Sequence, residues 1–179
     1  MLKPKYLFLI WILLTVIGVS SSLVNAQEVQ KKSIGLNECT DKTLGIKIYC
    51  NPDWALETDK GTVLMIIESK PDLSVTATLT KIEEPNLRLN DLTSVYLKAT
   101  DQYQDEMNIF PTHLTNYEAL HVQALALKNA DNQLSDYYIV QPPFFYGVLF
   151  SVTPKEKFND YKTLFDKMID SFRITIDKK

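Results

Sequence analysis

The 179 residues are 45% apolar and 23% charged, with a net charge of −3 at neutral pH. That size and composition suit one globular domain with its own core. The acidic balance argues against nucleic acid or anionic lipid as partners, since both would be repelled, and only five glycines leave no glycine-rich phosphate loop.

The N-terminus carries Lys3 and Lys5, then the uncharged apolar run Tyr6 to Val19, then a polar stretch ending Val24-Asn25-Ala26. This is the order of a secretory signal, so residues 1–26 are expected to be a cleaved signal peptide with Gln27 as the new N-terminus. A retained anchor would need about 20 apolar residues to cross the bilayer, and this run is shorter. Gln27, not a cysteine, stands directly after Ala26, so no residue is placed to take a lipid. Cleavage leaves 153 residues with 17 basic and 22 acidic side chains, a net charge of −5. The sequence therefore predicts a secreted or periplasmic protein without a stable membrane span after cleavage.

Residues 27–39 are polar without apolar period and read as a flexible leader, so 40–176 is expected to form the single domain. Cys39 and Cys50 are the only cysteines. In an oxidising compartment their pairing is the simplest outcome. Closing so short a loop restricts the unfolded chain by about 2.5–3 kcal/mol in the chain-entropy treatment. A redox role would favour Cys-x-x-Cys or an electropositive setting, whereas Glu38 and Asp41 stand nearby.

Gly45-Ile-Lys-Ile-Tyr49 alternates apolar and polar residues, the period of a half-buried strand, and puts Cys50 on the inward parity of Ile46 and Ile48. After the Asn51-Pro-Asp turn, Trp54-Ala-Leu-Glu is again extended, with Trp54 expected as a core anchor. Val63 to Ile67 is apolar at both parities, which predicts a central strand within Thr62 to Ser69. Val75 to Ile82 sets Val75, Ala77 and Leu79 against Thr76, Thr78 and Thr80. Its hydroxyl side is expected to meet water or a thinly covered part of the sheet.

From Leu89 the spacing becomes three and four, through Leu92, Tyr96, Ala99, Tyr103 and Met107, which predicts an amphipathic helix capped by Asn86 or Asn90. Ile109 to Thr115 and Ala119 to Leu127 read as two strands about Asn116-Tyr117. Leu134 to Gln141 and Phe144 to Val152 form another pair about Pro142-Pro143, where neither proline can donate to a ladder. Thr153-Pro-Lys-Glu156 fits a capping box, and Phe158, Tyr161, Phe165, Met168 and Phe172 extend a helix over about 154–171. Four strands, a helix, four strands and a helix predict the α+β class: a central antiparallel β-sheet with two helices packed on it.

Gly45-Ile-Lys-Ile-Tyr, Pro52-x-Trp54, this element order and the closing Ile169-Asp-Ser-Phe-Arg-Ile resemble the Mog1/PsbP-like superfamily. The resemblance covers residues 40–176. It implies a sheet sandwiched by helices, an exported location and a binding or assembly role. The metal-linked histidines and carboxylates of plant PsbP and the Ran-binding acidic face of Mog1 find no matching positions. Where members often carry glycine before Ala119, this chain has Asn116-Tyr117-Glu118, and asparagine tolerates the same backbone conformation.

His113 and His121 sit on one predicted hairpin. With Asn116-Tyr117 as the loop, His113 faces Leu120 and Thr112 faces His121, which sends the histidines to opposite sheet faces. A loop one residue longer would put them on one face and bring in Glu118, yet no third ligand stands at metal spacing. No metal and no cofactor are therefore expected. There is no Gly-x-Ser-x-Gly elbow, and Glu83-Glu84 and Asp105-Glu106 are sequence neighbours pointing apart, unlike facing catalytic carboxylates. Around the double proline, Tyr137-Tyr138 and Phe144-Phe145-Tyr146 divide between the two faces. Tyr138 and Phe145 are thus candidates for a partner-binding surface, unless a helix covers them. The expected function is a non-catalytic binding or assembly module for an envelope or secreted protein. The alternatives are a carrier of small apolar ligands and an unrecognised hydrolase.

Overall fold

The computed structural model describes residues 35–99, 107–114, 117–125 and 131–175. The expected signal peptide, most of the leader and the stretch holding Tyr103, Asp105 and Glu106 lie outside the described residues. The strands are β1 (Asn37–Asp41), β2 (Ile46–Cys50), β3 (Ala55–Asp59), β4 (Thr62–Lys70), β5 (Leu73–Glu83), β6 (Asn108–Leu114), β7 (Tyr117–Leu125), β8 (Gln133–Gln141), β9 (Phe144–Thr153) and β10 (Arg173–Ile174). Helix α1 spans Leu89–Ala99. Helix α2 spans Phe158–Asp170, after a single 3-10 turn at Lys155–Lys157.

Every pairing is antiparallel, as expected, but the strands form two sheets rather than one. Seven follow the order β3-β4-β5-β9-β8-β7-β6, and three follow β1-β2-β10. The first strand opens at Asn37, inside the stretch read as leader, because Asn37 to Asp41 pair with Cys50 to Ile46. Strand β10 joins the other side of β2 through Arg173↔Lys47 and Ile174↔Ile46.

Alternation decides which side chains are buried. On one face of the large sheet Val63, Met65, Val75, Ala77, Leu79, Tyr146, Val148 and Phe150 pack with Leu44, Ile46, Ile48 and Cys50 of the small sheet and with Phe158, Phe165, Met168 and Ile169 of α2. Trp54 joins this core only half-buried. Tyr161 of α2 also donates to Glu68 of β4, which pairs with Lys70 at 2.5 Å.

On the other face Leu120, Val122, Leu134, Tyr138, Phe145 and Leu149 are buried, and α1 adjoins β7 and β8. The expectation that the hydroxyl side of β5 meets water or a thinly covered part of the sheet is corrected by Thr78 and Thr80, both buried. The expected central strand is corrected as well. Strand β4 lies second from an edge with Leu64 and Ile66 only partly covered, and β9 holds the centre with Phe145 to Phe150 all buried.

Two helix starts differ from expectation. Asp91 closes the first turn of α1 by accepting from the Arg88 amide at 3.0 Å, in place of Asn86 or Asn90. The capping box at Thr153 does not form, because Thr153 is still paired in β9 and neither the 3-10 turn nor α2 has a side-chain cap.

Candidate functional site

Cys39 and Cys50 are joined by a disulfide with Cα atoms 5.8 Å apart, tying edge strand β1 to β2. Cys50 is buried on the face of Ile46 and Ile48.

The aromatic candidates are corrected. Tyr138 is 1% exposed and Phe145 fully buried, stacked on each other at 5.4 Å. The Tyr138 ring also covers Gly147, where an added Cβ would lie 3.6 Å from it. Alternation across the two strands does split the aromatics between faces, but both faces are covered here, so neither ring offers a partner a surface.

The hairpin register also differs. Leu114 pairs with Tyr117, so His113 faces Glu118 and Phe110 faces His121. This register sits one residue earlier than expected, and the histidines still occupy opposite faces. His113 and Glu118 are exposed. Among the described residues no group of three or more His, Cys, Asp or Glu side chains could hold a metal ion.

His121 is 9% exposed, stacks on Tyr137 at 4.0 Å, meets the edge of Phe110 at 4.7 Å and shares a 2.8 Å hydrogen bond with Ser135. Burial and the positive charge of Lys162, opposed by the negative charge of Asp166, lower its pKa to about 4, so the ring is neutral at physiological pH. A serine beside a neutral imidazole is the beginning of a nucleophile–base pair. However, Ser135 is itself only 4% exposed, and among the described residues no carboxylate hydrogen-bonds the ring, so the contact satisfies buried polar atoms. A second buried group stands on the opposite face. Burial pushes the Asp136 carboxyl up to about 7 despite a hydrogen bond with Tyr138, and its Oδ1 has no partner among the described residues.

A concave surface lies where the small sheet meets the end of α2. Parity turns Tyr49 outward from β2, leaving it 44% exposed. Its backbone N–H donates to Ser171 Oγ at 2.6 Å, and the same hydroxyl donates to the Met168 carbonyl at 2.6 Å, which clamps β2 to the last turn of the helix. Arg173 donates to the Asp170 and Phe172 carbonyls at 2.8 and 2.6 Å, the first of them an acceptor at the end of α2. Around Tyr49 these groups, with Leu36 and Lys167, line an open groove of about 510 Å³. Beside it Lys47 and Glu38 form a 2.6 Å ion pair across β1 and β2. The groove offers an aromatic platform with cationic donors from Lys167 and Arg173 beside Asp170, and the Ser171 hydroxyl is engaged with the Tyr49 amide and the Met168 carbonyl. The sequence reading did not single out Tyr49, although the same alternation that sends Ile46 and Ile48 inward sends it outward.

No family model matches the sequence, and a search of curated proteins finds none similar to it. Solved structures do match. Cyanobacterial PsbP (CyanoP) of Synechocystis sp. PCC 6803 superposes with a TM-score of 0.54 at 16% identity, covering 83% of this chain and 98% of its own. The fold is PsbP-like. LpqN of Mycobacterium tuberculosis, involved in cell envelope biogenesis, superposes at 0.55 with 13% identity over 81% of this chain and 93% of its own. The protein of unknown function PA94 from Pseudomonas aeruginosa gives 0.51 at 11% identity, over 73% and 91%. At such identities the PsbP-like likeness concerns the arrangement of the chain, and the chemistry of the groove is this sequence's own.

Proposed function

We propose that the protein is an exported, non-catalytic binding or assembly module of the cell envelope, and that its protein partner docks on the groove around Tyr49. The observation that carries this reading is an exposed aromatic ring held on a fixed frame, with β2 clamped to α2 through Ser171 and cations on the groove wall. A rigid tyrosine contributes a large contact area at little entropic cost, and arginine and tyrosine are enriched where partners bind most tightly. The disulfide and the basic-apolar-small N-terminus support export. LpqN, with the same fold, is a protein of cell envelope biogenesis.

The test is the native mass of the protein extracted from the exported fraction. Wild type is expected to migrate as a complex larger than one chain. Tyr49→Glu, with unchanged circular dichroism and thermal midpoint, is expected to migrate free. A folded Tyr49→Glu variant that stays in the complex contradicts the reading.

A further inference from the structure

Strand β3 is an outer edge of the seven-stranded sheet, and all five of its residues are exposed. An edge strand keeps a row of backbone N–H and C=O groups facing outward that can pair with another chain. Its register with β4 sets Leu56 opposite Met65 and Thr58 opposite Val63, on the core-side face. Leu56 thus extends the cross-sheet row of Met65, Ala77 and Phe150 by one strand, yet it is 57% exposed. Glu57 and Asp59 project on the other face, opposite Leu64 and Thr62.

We infer that β3 accepts, as an eighth strand, an extended segment of a partner protein in which basic and apolar residues alternate. Strand addition takes affinity from main-chain hydrogen bonds and specificity from alternate side chains. Here one face presents an uncovered leucine and the other two carboxylates. The fitting segment sets valine- or isoleucine-like side chains beside Leu56 and lysine or arginine beside Glu57 and Asp59. A second copy of this chain fits poorly, because the two-fold antiparallel register that overlaps the whole strand sets Glu57 against Glu57, and like charges directly opposite repel. The edge shares no residue with the groove, and the inference does not depend on partner docking at Tyr49.

The probe is a labelled nine-residue peptide of alternating lysine and valine, titrated against the full mature protein by fluorescence polarisation. Two controls accompany it: a peptide of the same composition with lysines and valines in separate blocks, and an alternating peptide N-methylated on every second amide along the pairing edge. The alternating peptide is expected to bind at least tenfold more tightly than either control and to shift the amide resonances of Ala55 to Asp59. Leu56→Lys, an exposed substitution, is expected to weaken it at least tenfold. Equal binding of the block or N-methylated peptide would reduce the contact to charge attraction and overturn the inference. So would resonance shifts at edge strand β6 instead, unchanged binding by Leu56→Lys, no binding at millimolar peptide, or self-association of the protein through β3.

Discussion

Two buried ionisable side chains face opposite sides of the large sheet and push stability in opposite directions. Asp136 titrates near 7 in the folded protein, above its ordinary value of 3.8, so over that interval the folded state holds a proton that the unfolded chain has released. Its stabilising contribution is complete below about pH 4 and lost as pH rises to 7. His121 titrates near 4, below its ordinary value of 6.5. Its contribution is complete above pH 6.5 and lost as pH falls to 4, amounting to about 3 kcal/mol at 1.36 kcal/mol per pKa unit. Between pH 4 and 6.5 the two slopes cancel in wild type. Asp136→Asn is expected to unmask the histidine, giving a denaturant midpoint that climbs with pH over this window, and to exceed wild type in stability at pH 8. His121→Gln should do the reverse, with a midpoint that falls as pH rises from 4 to 7. Midpoints measured at half-unit intervals check both, and profiles parallel to wild type would count against both assignments.

Edge strand β1 depends on its bridge. It pairs only with β2, all but Cys39 and Asp41 of its residues are exposed, and Cys39 is tied to Cys50. Replacing both cysteines by alanine is expected to cost about 2–4 kcal/mol of unfolding free energy and to abolish the effect of reductant on the denaturant midpoint. A midpoint insensitive to reductant in wild type would contradict this. Trp54 immediately precedes β3 and is only half-buried against the core. Trp54→Ala should therefore cost less than the roughly 3–5 kcal/mol of a fully buried ring, a loss that urea unfolding would measure. At this scale much was legible, since alternation and three-to-four spacing identify β2, β5, β8, β9 and both helices. The hairpin register was not, because one residue in the turn decides it, and residue types around Asn116 allow either placement.

For the whole molecule, the run of consecutive strands marks an α+β fold before any coordinates are seen, and the PsbP-like arrangement follows that order. The division into two sheets rests on contacts distant in sequence. Strand β10 is only Arg173–Ile174, and no local signal says that it pairs with β2. The central strand was misplaced for a related reason: Val63 to Ile67 is apolar at both parities, but its position near an edge depends on β9 inserting beside β5. The candidate site was half legible. Parity alone turns Tyr49 outward, while Lys167, Ser171 and Arg173 reach it only through the packing of α2 against β2. The central claim is that a partner sits on this groove, and site-specific photo-crosslinking in the native envelope tests it most directly. With the crosslinker at Tyr49, the account predicts one discrete adduct that is absent when the same group stands at exposed Thr163 on α2. No adduct at Tyr49, or the same adduct from both positions, would contradict it.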